Sequence, residues 1–372
     1  MAERRTRRRL LHDAALGGAA LLAGGGSGHA QPPAVTPVPQ TGRQQLESLI
    51  NGFRVSQMLH VAATLGIADH LEDGPRTIQQ LAEATKAHGD SLYRLLRALA
   101  GFGIFAEEDG PRFRLTPAAE MLRSRGAGSL RMAAIVAGEE WMWRPWGSLL
   151  HSVKTGEAAF DHLYGKNTFN WLSEHPEAAR IYDAFQAEGT RNSAEAVAAA
   201  YDFSGAGTVV DVGGGAGVLL FTILRRNASA RGILFDLDHV AKSAQSAVDR
   251  DVASRCQFVG GDFFKAVPRG GDIYILKSII HDWDDGRALA ILANCRAAMA
   301  GAGRLLMVEE LLCGPNQPCR AKLGDLNMLV RIGGRNRTET EYRALLTKAG
   351  FTVTRVLPAQ GDFHVMEAVP KG

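Results

Sequence analysis

The tightest constraint on this chain is a ten-residue stretch, 208–217, reading Thr-Val-Val-Asp-Val-Gly-Gly-Gly-Ala-Gly. A β-branched run ends in a glycine cluster and passes at once into the apolar segment 218–224. That pattern reads as a buried strand, a tight turn and a helix start. The glycines fall as Gly213-x-Gly215-x-Gly217 behind Asp211. A dinucleotide fingerprint asks for glycine at position 218, and Val218 stands there. The missing side chains still let backbone approach a ligand closely.

At 372 residues the chain is long for one core, so two domains are expected. The net charge of +3 comes entirely from residues 1–30, where Arg4, Arg5, Arg7, Arg8 and Arg9 face Glu3 and Asp13. The remainder is neutral, which leaves no electrostatic footprint for nucleic acid. No apolar run reaches the length of a membrane span. Cys256, Cys295, Cys313 and Cys319 show no metal-ligand spacing, so no metal site is expected. Cys313 and Cys319 are near enough to pair in an oxidising compartment, but free thiols are the expectation.

Residues 1–30 resemble a twin-arginine export leader: a basic Thr6-Arg7-Arg8-Arg9 start, an Ala/Gly-rich apolar core and a small-residue end at Gly28-His29-Ala30. Residues 31–45, with four prolines, read as a stiff linker. From Leu46 the apolar spacing is helical. Thr77 and Gln80 form a capping-box pattern, helices follow over 78–85 and 90–102, and 104–116 reads as a hairpin around Glu108-Asp109-Gly110. Two helices and a hairpin suggest a winged helix, within a helical domain spanning 46–200. A DNA-binding regulator is the rival reading. Its would-be recognition helix carries only Arg94 and Arg97 as cations, against the neutral charge of the body of the chain. Trp141, Trp143 and Trp146 cluster, and Trp146 is a candidate for lining a pocket for a flat substrate. Such clusters also serve as core or interface.

Residues 201–372 alternate strand and helix, the pattern of a parallel sheet with helices on both faces. Strands are expected over 231–237, 256–259, 272–280 and 304–311, and the chain closes with two strands, 352–357 and 364–369, about a Gln360-Gly361-Asp362 turn. In open α/β sheets the ligand lies at the carboxyl ends of the strands. Polar residues recur at those ends: Asp211 with Gly213 and Gly215, then Asp236, Asp262 beside Phe263, Lys277, and His281 with Asp282. Asp236 is placed to accept two ribose hydroxyls, and Asp262 to meet an adenine amino group. Each Asp could equally be a turn residue.

The run Leu276-Lys277-x-Ile279-Ile280-His281-Asp282-Trp283-Asp284-Asp285, with Asp211-Val-Gly-Gly-Gly-Ala-Gly217, Phe235-Asp236-Leu237, Gly260-Gly261-Asp262-Phe263-Phe264 and Gly333-Gly334-Arg335-Asn336-Arg337-Thr338, resembles the caffeate- and hydroxyneurosporene-type O-methyltransferases. This S-adenosylmethionine (SAM)-dependent family includes plant phenylpropanoid and bacterial polyketide-tailoring enzymes. The likeness covers about residues 46–370. It implies a Rossmann-like α/β sheet with a terminal antiparallel hairpin, preceded by a helical, winged-helix-like dimerisation domain, and a homodimer. It implies that Gly213, Asp236, Asp262, Phe263 and Lys277 hold SAM, that His281 is the general base for a hydroxyl of a small aromatic metabolite, and that Glu309 orients the imidazole. A phenol titrates near 10 and a free histidine near 6.5, so the base needs a carboxylate on its far nitrogen.

Two departures stand out. Relatives place an acid where Asn336 stands, so Asn336 is expected to orient the ring without offsetting its charge. Gln186 falls where relatives carry a pocket methionine, suggesting a more polar acceptor. Asn336 also leaves open a SAM-binding protein of non-methyl chemistry. Because SAM is made in the cytoplasm, a cytoplasmic enzyme is expected, with export through the leader as the alternative.

Overall fold

The computed structural model describes residues 41–372 apart from 127, 300 and 360. The expected leader, residues 31–40 of the linker and Gln360 of the terminal turn lie outside the described residues. Residues 41–49 are helical from Gly42, so the last part of the expected linker already belongs to the helix Gly42–Thr64.

Residues 50–372 carry the rest. A small sheet pairs β1 (Arg76–Thr77) and β2 (Phe105–Glu108) on either side of β3 (Arg112–Leu115). Between them run the helices Ile78–Thr85 and Gly89–Gly101. The first opens with the expected capping box, Thr77 accepting from the Gln80 amide and Gln80 accepting from the Thr77 amide. Leu81, Leu92, Leu96 and Leu99 recur at helical spacing and bury against Phe105 and Phe113, which makes this helix–helix–hairpin unit one core. Five further short helices occupy Arg131–Glu174, and the long helix Pro176–Ala200 leads to the main sheet.

That sheet contains β4 (Thr208–Val212), β5 (Arg231–Asp236), β6 (Cys256–Gly260), β7 (Ile273–Lys277), β8 (Arg304–Glu310), β9 (Phe351–Pro358) and β10 (Phe363–Pro370). Its order is β6-β5-β4-β7-β8-β10-β9. The first five strands are parallel, and β10 inserts antiparallel between β8 and β9. Successive residues feed opposite cores, as a strand's period of two requires: Val209 packs on one face and Val210 on the other. The strand order reverses between β4 and β7, the switch point at whose carboxyl edge open α/β sheets bind ligands.

Two expectations change. The strand expected over 272–280 stops at Lys277, because Ser278 takes a left-handed conformation (φ 56°) and the chain turns into a short 3-10 segment, Ile280–Asp282. His281 therefore sits on a turn above the sheet edge. Cys313 and Cys319, expected as free thiols, form a disulfide closing a six-residue separation, with Cα atoms 6.2 Å apart. The Gly314-Pro315-Asn316 bend, with Asn316 at φ 60°, folds the segment back on itself. Cys256 and Cys295 are free and buried.

Candidate active site

The glycine turn after β4 is built by conformation. Gly213, Gly215 and Gly217 all have positive φ. A Cβ on Gly217 would stand 2.3 Å from Phe221, and one on Gly214 would stand 2.8 Å from the Asp211 carboxylate. At Gly215 a Cβ would meet nothing, so this face of the turn is open. Asp236, at the end of β5, accepts the Gly215 amide at 2.8 Å and the Leu237 amide at 2.7 Å, one on each carboxylate oxygen. Further lone pairs on both oxygens stay available for hydroxyl donors. Burial pushes the Asp236 carboxyl above its usual range, against the pull of those two amides and of His239. Ile279 and Phe263 approach Gly213 from the neighbouring loops. An open glycine turn with an anchored acceptor carboxylate and apolar walls fits the amino-acid and ribose ends of SAM.

Asp262 accepts the Phe264 amide at 2.9 Å, an Asx-type turn that fixes the loop after β6. Phe263 and Phe264 pack edge-on against Trp283. Lys277 is half-buried. Its amine lies 3.3 Å from the Thr190 hydroxyl and over the Phe363 ring. Burial pulls its pKa down while Glu309, Asp211 and Glu310 hold it up. Asp211 is pushed up to about 7 by burial, with Lys277 opposing.

Glu309 is wholly buried in β8. One carboxylate oxygen accepts the Ile280 amide at 2.9 Å, and the other lies 2.5 Å from His281 Nδ1. His281 Nε2 faces Asp282 Oδ1 at 3.4 Å, with 18% and 14% of the two side chains exposed. Burial alone would lower the imidazole's pKa, but Glu309 and Asp282 outweigh it and raise it to about 9. Burial lifts Asp282 to about 6 against the pull of His281 and Arg331.

The turn carrying His281 is clamped from the segment 333–338. A Cβ on Gly334 would lie 2.2 Å from the His281 carbonyl oxygen, so only glycine fits there. The Arg335 amide donates to that same oxygen at 2.8 Å. Arg337, 1% exposed, donates to the carbonyls of Ile280, Trp283 and Arg335 and to Asp285.

Three expected site residues make no hydrogen bond to His281 among the described residues. The Asn336 amide donates to the Ala321 carbonyl at 3.3 Å, while its backbone amide donates to Asp325. It makes no hydrogen bond to His281 among the described residues, so the expected ring-orienting role is not what its side chain does. Gln186 is exposed on the helix Pro176–Ala200. It lies one turn before Thr190, the Lys277 partner. Trp146 donates to Asn327 at 3.4 Å, whereas Trp141 is buried against Trp171 and Tyr182. Sequence reasoning missed Arg337, Thr190, Arg331 and Asp183, the last an acid whose carboxyl is raised by desolvation with His239 opposing.

A sheet switch point with a glycine turn, a carboxylate anchored by two backbone amides and an imidazole–carboxylate pair is the setting expected of a SAM-dependent transferase. The chain belongs to the O-methyltransferase family: the O-methyltransferase domain matches residues 146–352, and the O-methyltransferase dimerisation domain matches residues 47–125. SAM is its methyl donor. It is 46% identical over 326 residues to a phenazine O-methyltransferase, PhzM, of Lysobacter antibioticus, covering 87% of this chain and 95% of that protein. It is 39% identical over 333 residues to the 3-amino-4-hydroxybenzoate 4-O-methyltransferase of Streptomyces cremeus, covering 89% and 91%. A solved structure of the O-methyltransferase NcsB1 from neocarzinostatin biosynthesis, in complex with SAM and 2-hydroxy-5-methyl naphthoic acid, superposes with a TM-score of 0.76 at 32% identity, covering 90% of this chain and all of that one.

Proposed function

We propose that this enzyme methylates a hydroxyl of a small aromatic metabolite, with His281 as general base and Glu309 as the carboxylate that orients it. The 2.5 Å contact between His281 Nδ1 and buried Glu309 carries the reading. It fixes the tautomer, leaving Nε2 to take a proton. With the imidazole raised to about 9 and a phenol near 10, proton transfer between them is close to thermoneutral. A free imidazole would face an uphill step of about 5 kcal/mol. SAM supplies the electrophilic methyl group when bound. Asp236 and the Gly213–Gly217 turn hold its ribose and amino-acid ends, Asp262 and Phe263 receive the adenine, and Lys277 with Asp211 supports the strand ends. Arg337 and Gly334 hold the His281 turn in place, which would keep the base at a fixed position for the acceptor hydroxyl. The relatives act on phenazine, aminohydroxybenzoate and naphthoate scaffolds, which supports an aromatic acceptor.

His281→Ala tests the assignment. SAM affinity should stay within about twofold while turnover falls by 10² or more, the usual worth of a general base. Turnover within tenfold of wild type would remove His281 from that role. The rival of non-methyl chemistry drew its support from Asn336, which is occupied on Ala321.

The dimerisation-domain match supports a homodimer. Ile50, Phe53 and Phe102 leave apolar surface exposed that a partner copy would cover, and light scattering should give the mass of two chains. No helix among the described residues is long and apolar enough to cross a membrane. With the body of the chain neutral, neither nucleic acid nor membrane is a proposed partner. The proposed compartment is the cytoplasm, where the donor is made; N-terminal sequencing of the native protein distinguishes it from export.

A further inference from the structure

Arg331 ends the helix Arg320–Arg331 and is 2% exposed. Its guanidinium lies 5.4 Å from the centre of the Tyr182 ring and 5.8 Å from a Trp141 ring. A cation this far from water is ordinarily paired with a carboxylate or fully hydrogen-bonded. Stacking on aromatic faces offsets part of the desolvation but gives no acceptor to the in-plane N–H groups. Nε and Nη2 of Arg331 are buried and have no hydrogen-bond partner among the described residues. These two nitrogens share one edge of the guanidinium, the edge that offers two parallel N–H bonds to a carboxylate. Trp141 Nε1 is likewise buried without an acceptor. The unfilled atoms of Arg331 and Trp141 are all donors, and an anionic, two-oxygen acceptor complements them.

The surroundings place Arg331 beside the reacting turn. Three residues on, Gly334 packs under the carbonyls of His281 and Asp282. The Arg331 carbonyl accepts from the Thr168 hydroxyl at 2.6 Å, and the adjacent Phe169 stacks on Trp283. Asp282 and Tyr182 both feel its charge. The partly exposed side chains of His281 and Asp282 leave the turn open to a ligand.

We infer that Arg331 is a specificity-determining residue whose Nε–Nη2 edge pairs with a carboxylate on the aromatic acceptor, so that hydroxyaryl carboxylates are preferred over neutral phenols. The inference rests on the reading that the acceptor hydroxyl meets His281. Its internal competitor is Asp282, whose carboxylate could take the same edge by a side-chain rotation. In that case an acceptor carboxylate would gain nothing.

Full-length enzyme and SAM, offered hydroxybenzoic and hydroxynaphthoic acids beside their primary carboxamides with products read by mass, test it. The acids should be preferred by about thirtyfold or more in kcat/KM, mostly through KM, the scale of one buried charged pair. Arg331→Met should erase that preference, so that acid and amide are used about equally by the variant. Arg331→Lys, which keeps the charge and loses the fork, should keep only part of it. SAM affinity by calorimetry, unchanged in both variants, shows that they fold. Equal use of acid and amide by wild type, or a preference that survives in Arg331→Met, overturns the inference. If Arg331→Met fails to fold, Arg331→Lys and the wild-type comparison carry the test. If no acceptor is methylated, the proposed acceptor chemistry is what fails. Tryptophan fluorescence of the SAM-loaded protein then still decides whether acids bind more tightly than amides.

Discussion

Replacing Glu309 by glutamine removes one charge from the centre of the site and changes little in volume. In the wild type the imidazole is held near 9 against an ordinary 6.5, a difference worth about 3 kcal/mol of preferential proton binding. Glu309 is the largest raising influence, ahead of Asp282, and burial acts in the opposite direction. The protonated ring is favoured in the folded protein, so catalysis by neutral His281 is scarce at low pH. It grows about tenfold per pH unit until the pH passes about 9. For a neutral phenol the logarithm of kcat/KM should therefore rise with unit slope from pH 7 to about 9. In Glu309→Gln the inflection should move down by at least about one unit, because only Asp282 and the weaker influence of Glu310 remain to oppose burial. The plateau should also fall by about 10² to 10³, as expected when one partner of a buried charged pair is lost. Initial rates across pH 6–10, with SAM saturating, measure both quantities. An inflection that stays in place, or a wild-type profile flat from pH 6 to 8, would refute the coupling between Glu309 and the base.

Two further substitutions separate donor binding from catalysis. Asp236→Ala strips the acceptor from the Gly215 and Leu237 amides and should weaken SAM binding by about thirtyfold or more, read by calorimetry. Turnover at saturating SAM should fall much less. Arg337→Lys should lose most of the carbonyl contacts that pin residues 280–283, lower stability by about 3 kcal/mol in denaturant titration and cut kcat, while SAM affinity stays near wild type.

The clustering of polar residues at the candidate donor site was legible because strand ends are. A parallel sheet aligns its carboxyl edge, so any polar residue that closes a β-branched run lands there, and Asp211, Asp236 and Lys277 arrive together by register alone. Glu309 was found in the same way, with side-chain alternation along β8 separating it from Glu310. The turn after Lys277 was not legible. Nothing in Lys277-Ser278-Ile279-Ile280 announces a left-handed serine, since an apolar run reads as continued strand until a tertiary contact interrupts it.

Asn336 and the two arginines show a different limit. The type of a side chain tells what it can donate, and burial decides to whom. Asn336 and Arg337 are neighbours in one motif, yet the amide goes to Ala321 in one direction while the guanidinium reaches four residues around His281 in the other. Arg331 did carry a signal in the sequence, a charge inside the apolar run Met328-Leu329-Val330-Arg331-Ile332. Such a residue is expected either to turn outward or to be paired. It does neither: it turns inward and leaves one edge of its fork without an acceptor. A buried cation costs stability unless something in the working enzyme completes it. The same turn that presents His281 lies beside it, so the group best placed to do so is one that arrives with the substrate.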